Sequence, residues 1–343
     1  MNPLPRAIGR LLGALLLAAL WWCLPAPAQA ATSCNTTPTP LSFGTVTGAA
    51  NVDNTATVGI TCSTSGLTLL ATVRVRMCLN IDAGVNGAGQ TNPRRLTNTF
   101  GDPMQFQIYR DAARTQIWGS TSTPATPTPV QIDLQYNAPV LGGSGNTSAT
   151  LFGRVAAQLG LSAGLHNNPF TGAHTRLDYR YAEQLLGTPP YPASCTSGGT
   201  GGGSITFPFT ASATVPNHCI IDSATDLDFG NVPGPIAADI DQTSTVTMTC
   251  TNRTPWNMAL DDGQNASGVL RRMRLGATGN YLGYELYRDA GRTLRWGAAI
   301  GTDTVPGTGS GSSQSLTVHG RVPAVQSVPP GDYADVITVT VTY

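Results

Sequence analysis

The sequence predicts an all-β protein built as two β-sandwich domains. Three observations point there. Apolar residues recur at every second position, the composition favours strands and turns over helices, and one set of motifs occurs twice in the same order.

The alternation is clearest at the C-terminus, where Ile337, Val339, Val341 and Tyr343 interleave with Thr338, Thr340 and Thr342. Period-two patterning marks a strand with one buried face. Similar runs cover 55–62, 67–77, 104–110, 175–181, 206–215, 243–250 and 316–322, separated by Gly, Pro and Asn clusters. Many short strands punctuated by turns indicate a sandwich.

The composition agrees. The 343 residues are 41% hydrophobic, enough for packed cores, but only 11% charged. Soluble domains usually carry about a quarter charged residues. Glycine (39), proline (25) and many Thr, Ser and Asn fill the gap, and lysine is absent. Such residues suit strands and turns.

The repeat divides the chain. The segment Ile108-Tyr109-Arg110-Asp111-Ala112-Ala113-Arg114-Thr115-Gln116-Ile117-Trp118-Gly119 returns as Leu286-Tyr287-Arg288-Asp289-Ala290-Gly291-Arg292-Thr293-Leu294-Arg295-Trp296-Gly297. Upstream, Cys34 precedes Phe43-Gly44 at nearly the spacing at which Cys219 precedes Phe229-Gly230. Each pair is followed by a strand ending in Cys, at Cys62 and Cys250. Downstream, Gly153-Arg154-Val155 matches Gly320-Arg321-Val322. The predicted organisation is a leader at 1–30, a first domain at 31–216 and a second at 217–343.

The leader places the protein. Arg6 and Arg10 precede an apolar run from Leu11 to Trp22, Pro25 and Pro27 close it, and Ala28-Gln29-Ala30 supplies small residues for cleavage. That is a secretory signal peptide, cut after Ala30. A membrane anchor is the alternative, but the run is short for a span. Losing the leader's two arginines takes the formal charge from zero to −2, with nothing to mark a nucleic-acid binder.

Seven cysteines less Cys23 leave six for an oxidising compartment. Six allow fifteen pairings. The repeat selects Cys34–Cys62 and Cys219–Cys250, each joining a first strand to a second. Cys78 and Cys195 remain and are expected to pair, with a free thiol or an intermolecular bond as alternatives.

Taken together, Leu41-Ser42-Phe43-Gly44 and Leu227-Asp228-Phe229-Gly230 after an opening Cys, the Tyr-Arg-Asp-Ala segments and the closing Gly331-Asp332-Tyr333…Tyr343 run carry a family resemblance. The chain resembles the spore coat protein U domain, the subunit type of archaic (Csu-type) chaperone–usher pili. The match covers nearly all of 219–343 and the framework of 34–216. It weakens across 83–103 and 120–147 and is lost at 165–203. The resemblance implies two immunoglobulin-like sandwiches, the C-terminal one lacking its last strand. It implies a periplasmic pilus chaperone, an outer-membrane usher, and an adjacent pilin subunit whose strand fills the groove by β-augmentation. Two-domain members resemble tip adhesins, placed outside the cell at the pilus tip, attaching to abiotic or host surfaces and supporting biofilm formation.

Three features of this sequence fit that placement. The second copy stops on the strand of Ile337, Val339, Val341 and Tyr343, which is expected to bind chaperone or subunit. The first copy carries extra strand candidates at 175–181 and 206–215 and could complete its own sheet. Cleavage after Ala30 leaves only Ala31-Thr32-Ser33 before Cys34. Three residues reach about 10 Å, whereas a donated strand spans roughly 17–20 Å. A non-tip pilus subunit or a spore or cyst coat protein is the alternative.

Binding is expected on the first domain, in two apolar, Gly/Pro-rich stretches. One includes Tyr136, Pro139, Val140 and Leu141; the other includes Leu185, Leu186, Pro189, Pro190 and Tyr191. Stiff apolar loops lose little entropy on adsorbing. A carbohydrate pocket stays open, but no residue pattern declares it. Arg110-Asp111-Arg114 and Arg288-Asp289-Arg292 read as turn-stabilising ion pairs, Trp118 and Trp296 as core, and Arg94-Arg95 and Arg271-Arg272 as solvated turns. His166 and His174 lack a Cys or carboxylate at ligand spacing, so no metal or other cofactor is expected. No nucleophile elbow, paired metal motif or P-loop is present, and the only glutamates are Glu183 and Glu285, so an enzyme is not expected.

Overall fold

A computed structural model describes residues 31–68 and 70–343; the expected leader, 1–30, lies outside them. No α-helix occurs among the described residues.

The first domain contains β1 (Ala31–Pro38), β2 (Leu41–Thr45), β3 (Val52–Ser65), β4 (Ala71–Ile81), β5 (Arg94–Thr97) and β6 (Pro103–Tyr109). It continues with β7 (Val130–Ala138), β8 (Gly142–Val155), β9 (Gly164–Phe170), β10 (Thr175–Leu185), β11 (Gly201–Ile205) and β12 (Phe209–Val215). One sheet runs β1-β3-β8-β6-β5-β9-β12-β2 and packs against β11-β10-β4-β7. The second domain contains β13 (Cys219–Ala224), β14 (Ile240–Cys250), β15 (Pro255–Leu260), β16 (Arg271–Leu275) and β17 (Tyr281–Tyr287). It closes with β18 (Val305–Thr308), β19 (Ser313–Val322), β20 (Tyr333–Ala334) and β21 (Val339–Thr342). Its sheets are β13-β14-β19-β17-β16-β20 and β18-β15-β21.

The alternation explains the layers. On β4, Ala71, Val73, Val75, Met77 and Leu79 point inward and are buried, while Thr72, Arg74 and Arg76 face out. Each domain has its own core, one centred on Ile60, Leu79, Phe106 and Trp118, the other on Met248, Met258, Leu286 and Trp296. The run at 67–77 becomes a strand only from Ala71, because Leu70 sits in a left-handed turn (φ 64°). The run at 206–215 becomes one only from Phe209, after Pro208.

Disulfides join Cys34 to Cys62 and Cys219 to Cys250, directly opposite one another on paired strands with Cα–Cα distances of 4.0 and 4.1 Å. A third joins Cys78 on β4 to Cys195, at 5.7 Å.

The repeated motifs are joints between strands. Gly44 and Gly230 take left-handed conformations, φ 66° and 76°, that release the chain after Leu-x-Phe. The Leu and Phe of that motif press on Gly153 and Gly320, where any Cβ would come within 2.9 Å of a Leu41 or Leu227 methyl. Trp118 Nε1 donates to Leu79 O at 2.8 Å, and Trp296 Nε1 to Met258 O at 2.9 Å.

Two of the arginine expectations are overturned. Asp111 accepts from the backbone of Gln116 (2.7 Å) and from Thr115 Oγ1 (2.8 Å), so it holds its turn without an arginine. Arg114 instead reaches Gly153 O at 3.1 Å and Asp53 at 3.4 Å. Asp289 and Arg292 repeat this with Leu294, Thr293, Gly320 and Asp241. Nor are Arg94 and Arg271 solvated: they begin β5 and β16, and their exposures are 0% and 1%. Arg94 donates to the carbonyls of Ile81 (2.9 Å), Asp82 (2.9 Å) and Trp118 (2.7 Å), and to Gln107. Arg271 does the same at Leu260, Asp261 and Trp296, with Glu285 in place of Gln107.

Candidate functional site

The two domains differ most at one position between their sheets. In the first, β12 lies parallel to β2, with Ala211 opposite Leu41, and antiparallel to β9, with Phe209 opposite Phe170 and Val215 opposite Gly164. Phe209, Ala211, Ala213 and Val215 point inward. Phe209 stacks on Phe170 at 4.6 Å between centroids. Leu41, Phe43, Leu96, Met104 and Phe170 are consequently buried.

The second domain builds the same walls and leaves the space between them open. The segment at 227–230 matches β2, and 331–337 matches β9; Ala334 faces Arg274 as Asn167 faces Thr97. No strand lies between those walls among the described residues. Leu227, Phe229, Met273 and Tyr333, equivalent to Leu41, Phe43, Leu96 and His166, are only half-buried. They line both a cavity of about 950 Å³ that reaches Ile236 and Val328 and one of about 440 Å³ that reaches Tyr284 and Leu260. The two share these side chains and form one channel, in which the apolar groups stand beside polar ones such as Asp228, Asp332 and Asp335. On its floor, Tyr284 donates to Asp335 at 2.8 Å, and burial together with that carboxylate holds the phenol protonated far above its usual range.

Ile337 and Val339 sit on the channel wall. Val341 and Tyr343 do not; β21 pairs with β15, and Tyr343 packs edge-on against His218 at 6.2 Å. By equivalence with β9, the open edge beside the channel is 331–337, which shares only Ile337 with the expected run.

The first domain's distinctive surface lies at one pole. Five strand ends meet there: Leu185 is opposite Ala71, Ala71 opposite Ala138, and Ser65 opposite Gly142. These strands outrun their counterparts. β4 has 11 residues against 6 in β15, β7 has 9 against 4 in β18, and β8 has 14 against 10 in β19. The extensions carry Leu67 and Leu70, Val140 and Leu141 (79% exposed), and Leu185 and Leu186 (80%). Thr68 N donates to Val140 O at 3.2 Å, and Gly142 N to Thr68 Oγ1 at 3.1 Å, so the first two tips are tied together. Apolar residues massed on an exposed edge mark an interaction surface.

Several expected loop residues lie elsewhere. Tyr136 is on β7 with its ring in the core and its hydroxyl 2.8 Å from Thr64 Oγ1; burial raises its pKa. Tyr191 lies under Arg74 and Arg76, at 4.5 and 5.7 Å, while those arginines bond Pro189 O and Pro192 O at 3.0 Å each. Pro189 is buried and Pro190 exposed. The stretch 189–195 is thus a strap stapled to β4 by Cys195, not a free tip. Leu67 and Leu70 join the pole although in sequence they read as the start of the strand expected at 67–77. His166 is fully buried on β9, which lowers its pKa, and His174 belongs to the short turn that follows.

Fold and channel define the class: a disulfide-stapled pair of β-sandwiches, one closed by its own strand and one open. The Spore Coat Protein U domain profile matches residues 21–171 and 205–340, and the chain belongs to that family, whose members are structural proteins rather than enzymes. Protein U of Myxococcus xanthus is 33% identical over 145 residues, which is 38% of this chain and 80% of that protein. Among solved structures, the CsuC–CsuE chaperone–tip adhesion subunit complex of Acinetobacter baumannii covers 91% of this chain and 100% of its own, with 14% identity and a TM-score of 0.41. The CupB6 tip adhesin of Pseudomonas aeruginosa covers 92% of this chain and 95% of its own, with 10% identity and a TM-score of 0.30.

Proposed function

We propose that this chain is the adhesive tip subunit of a chaperone–usher pilus. The observation that carries the reading is the asymmetry of the two sandwiches. The first is filled by its own β12, and the second has matching walls with nothing between them among the described residues. A free strand edge beside half-buried Leu227, Phe229, Met273 and Tyr333 is an aggregation hazard unless something covers it. A periplasmic chaperone would cover it during export, and an adjacent subunit would cover it after assembly at an outer-membrane usher. Residues 31–33 are already engaged in β1, where Ala31 lies opposite Ser65, Thr32 opposite Thr64 and Ser33 opposite Ser63 on β3. With the leader cut after Ala30, no unpaired residue would precede β1 to donate to a neighbour. A subunit that accepts a strand and has none to give belongs at the distal end.

The apolar pole is then the adhesive surface, facing outward from the cell and gripping apolar abiotic or host surfaces in attachment and biofilm formation. It stands opposite the second domain. β8 runs from Gly142 at the pole to Val155 near the domain junction, and its 14 residues span about 45 Å. The test replaces Leu70, Leu141 and Leu186 with Ser. Burying a leucine contributes about 1.5–3 kcal/mol, so attachment to polystyrene should fall by more than about tenfold, with pilus number and thermal stability unchanged. Undiminished attachment would remove the pole from the site. Immunogold label along the fibre shaft rather than at its end would overturn the tip placement.

A further inference from the structure

The linker between the domains is short. β12 ends at Val215 and β13 begins at Cys219, which is fixed to Cys250. On its own, such a linker allows the domains to swivel. Contacts beside it oppose that motion. Ala163 N donates to Asn252 O at 2.8 Å, and Asn252 Nδ2 donates to Ser162 Oγ at 2.8 Å. Arg253 reaches Asp102 through Nε at 3.0 Å and Nη2 at 3.3 Å, and its guanidinium lies 5.0 Å from the Phe100 ring. Ser162 and Ala163 are buried. Both sides of the contact are stiff. Asp102 closes a turn in which its own N–H donates to Asn98 Oδ1 at 2.9 Å. Arg253 is held in a left-handed conformation (φ 68°), its N–H donating to Gly309 O at 2.9 Å. A non-glycine residue at positive φ costs energy and persists where its surroundings impose it.

We infer that the turn at 251–253 is a clasp that locks the two domains into one rigid strut. Its position matters as much as its strength. Ala163 adjoins Gly164, and Gly164 pairs with Val215, the last residue before the linker. The second domain therefore grips the first at both members of one strand pair, covalently through β12 and non-covalently at the start of β9. Tension along the chain enters both strands from the same end and does not fall on β12 alone. Arg253 and Asp102 supply a separate point of attachment at the β5–β6 turn, which opposes twist.

The test uses the full exported chain and compares Arg253→Asn, Asp102→Asn and the double variant. Asn tolerates the left-handed conformation at 253. The readouts are the rate at which a non-specific protease cuts the 216–218 linker and the maximum dimension from solution X-ray scattering. An exposed ion pair is weak on its own, so each single variant should be cut about one-and-a-half- to fivefold faster. The double variant should be no faster than either single, because both remove one interaction. Scattering should show a single extended shape in the parent and a broader distribution in the variants, with the unfolding temperature of each core unmoved. A parent cut as fast as the variants, or single effects that add in the double, would overturn the clasp.

Discussion

Arg94 and Arg271 show how much a single buried side chain can organise. Each guanidinium satisfies three backbone carbonyls where the strand leading to it ends and where the tryptophan segment passes. The surroundings differ in charge. Arg271 meets Glu285, which also pairs with Arg295 at 3.0 Å. Arg94 meets the neutral Gln107, and burial lowers its pKa to about 10. Removing a buried hydrogen-bonded group strands its partners. Arg94→Met should therefore cost the first domain about 3 kcal/mol or more, read as a lower urea midpoint with an unchanged slope. A loss under about 1 kcal/mol would mean that water replaces the guanidinium. Sequence alone pointed the other way, because arginine is ordinarily solvent-facing. The available signal was the recurrence of an Arg-Arg pair at the same place in both copies.

At the scale of elements, the added length in the first domain does two jobs. The longer hairpins form the apolar pole, and the insertion after β10 supplies the strap, β11 and β12. The alternation of apolar residues made most strands legible, and the repeated motifs made their equivalence legible. What escaped was the face each residue takes at a strand end. Tyr136 shares its parity with the buried Ala138, so it points inward although its neighbours form a tip. The strap residues Pro189 and Tyr191 look like a loop in sequence, but only the fold brings Arg74 and Arg76 against them. The Cys78–Cys195 bridge closes a separation of 117 residues. In the chain-entropy model a loop of that size contributes up to about 4.7 kcal/mol. Replacing both cysteines with Ala should lower the stability of the first domain by about 2–4 kcal/mol. It should also speed amide exchange across 186–205 before other regions. Uniform exchange across the domain would show that the bridge holds the core rather than the strap.

At the scale of the whole molecule, the two halves differ in what they need to fold. The first has every strand its walls require, so residues 31–216 should fold alone into a monomer. The second has a channel lined by half-buried Leu227, Phe229, Met273 and Tyr333, so residues 217–343 should accumulate only when that channel is filled. The filled copy supplies the pattern for the filler. A peptide spanning Phe209–Val215 carries apolar residues at alternate positions, and in β12 they face the equivalents of Ile337, Asp335, Tyr333 and Gly331. Added to residues 217–343 during refolding, it should lie parallel to 227–230 and antiparallel to 331–337, and yield a soluble monomer with a raised unfolding temperature. A peptide with Asp at the positions of Ala211 and Ala213 should fail, because each carboxylate would be buried without a partner. The measurement is the yield of monomer by size exclusion, with and without each peptide. A stable monomer of 217–343 in the absence of any peptide would mean that the second domain closes its own channel, and the division between a complete head and an incomplete base would fall with it.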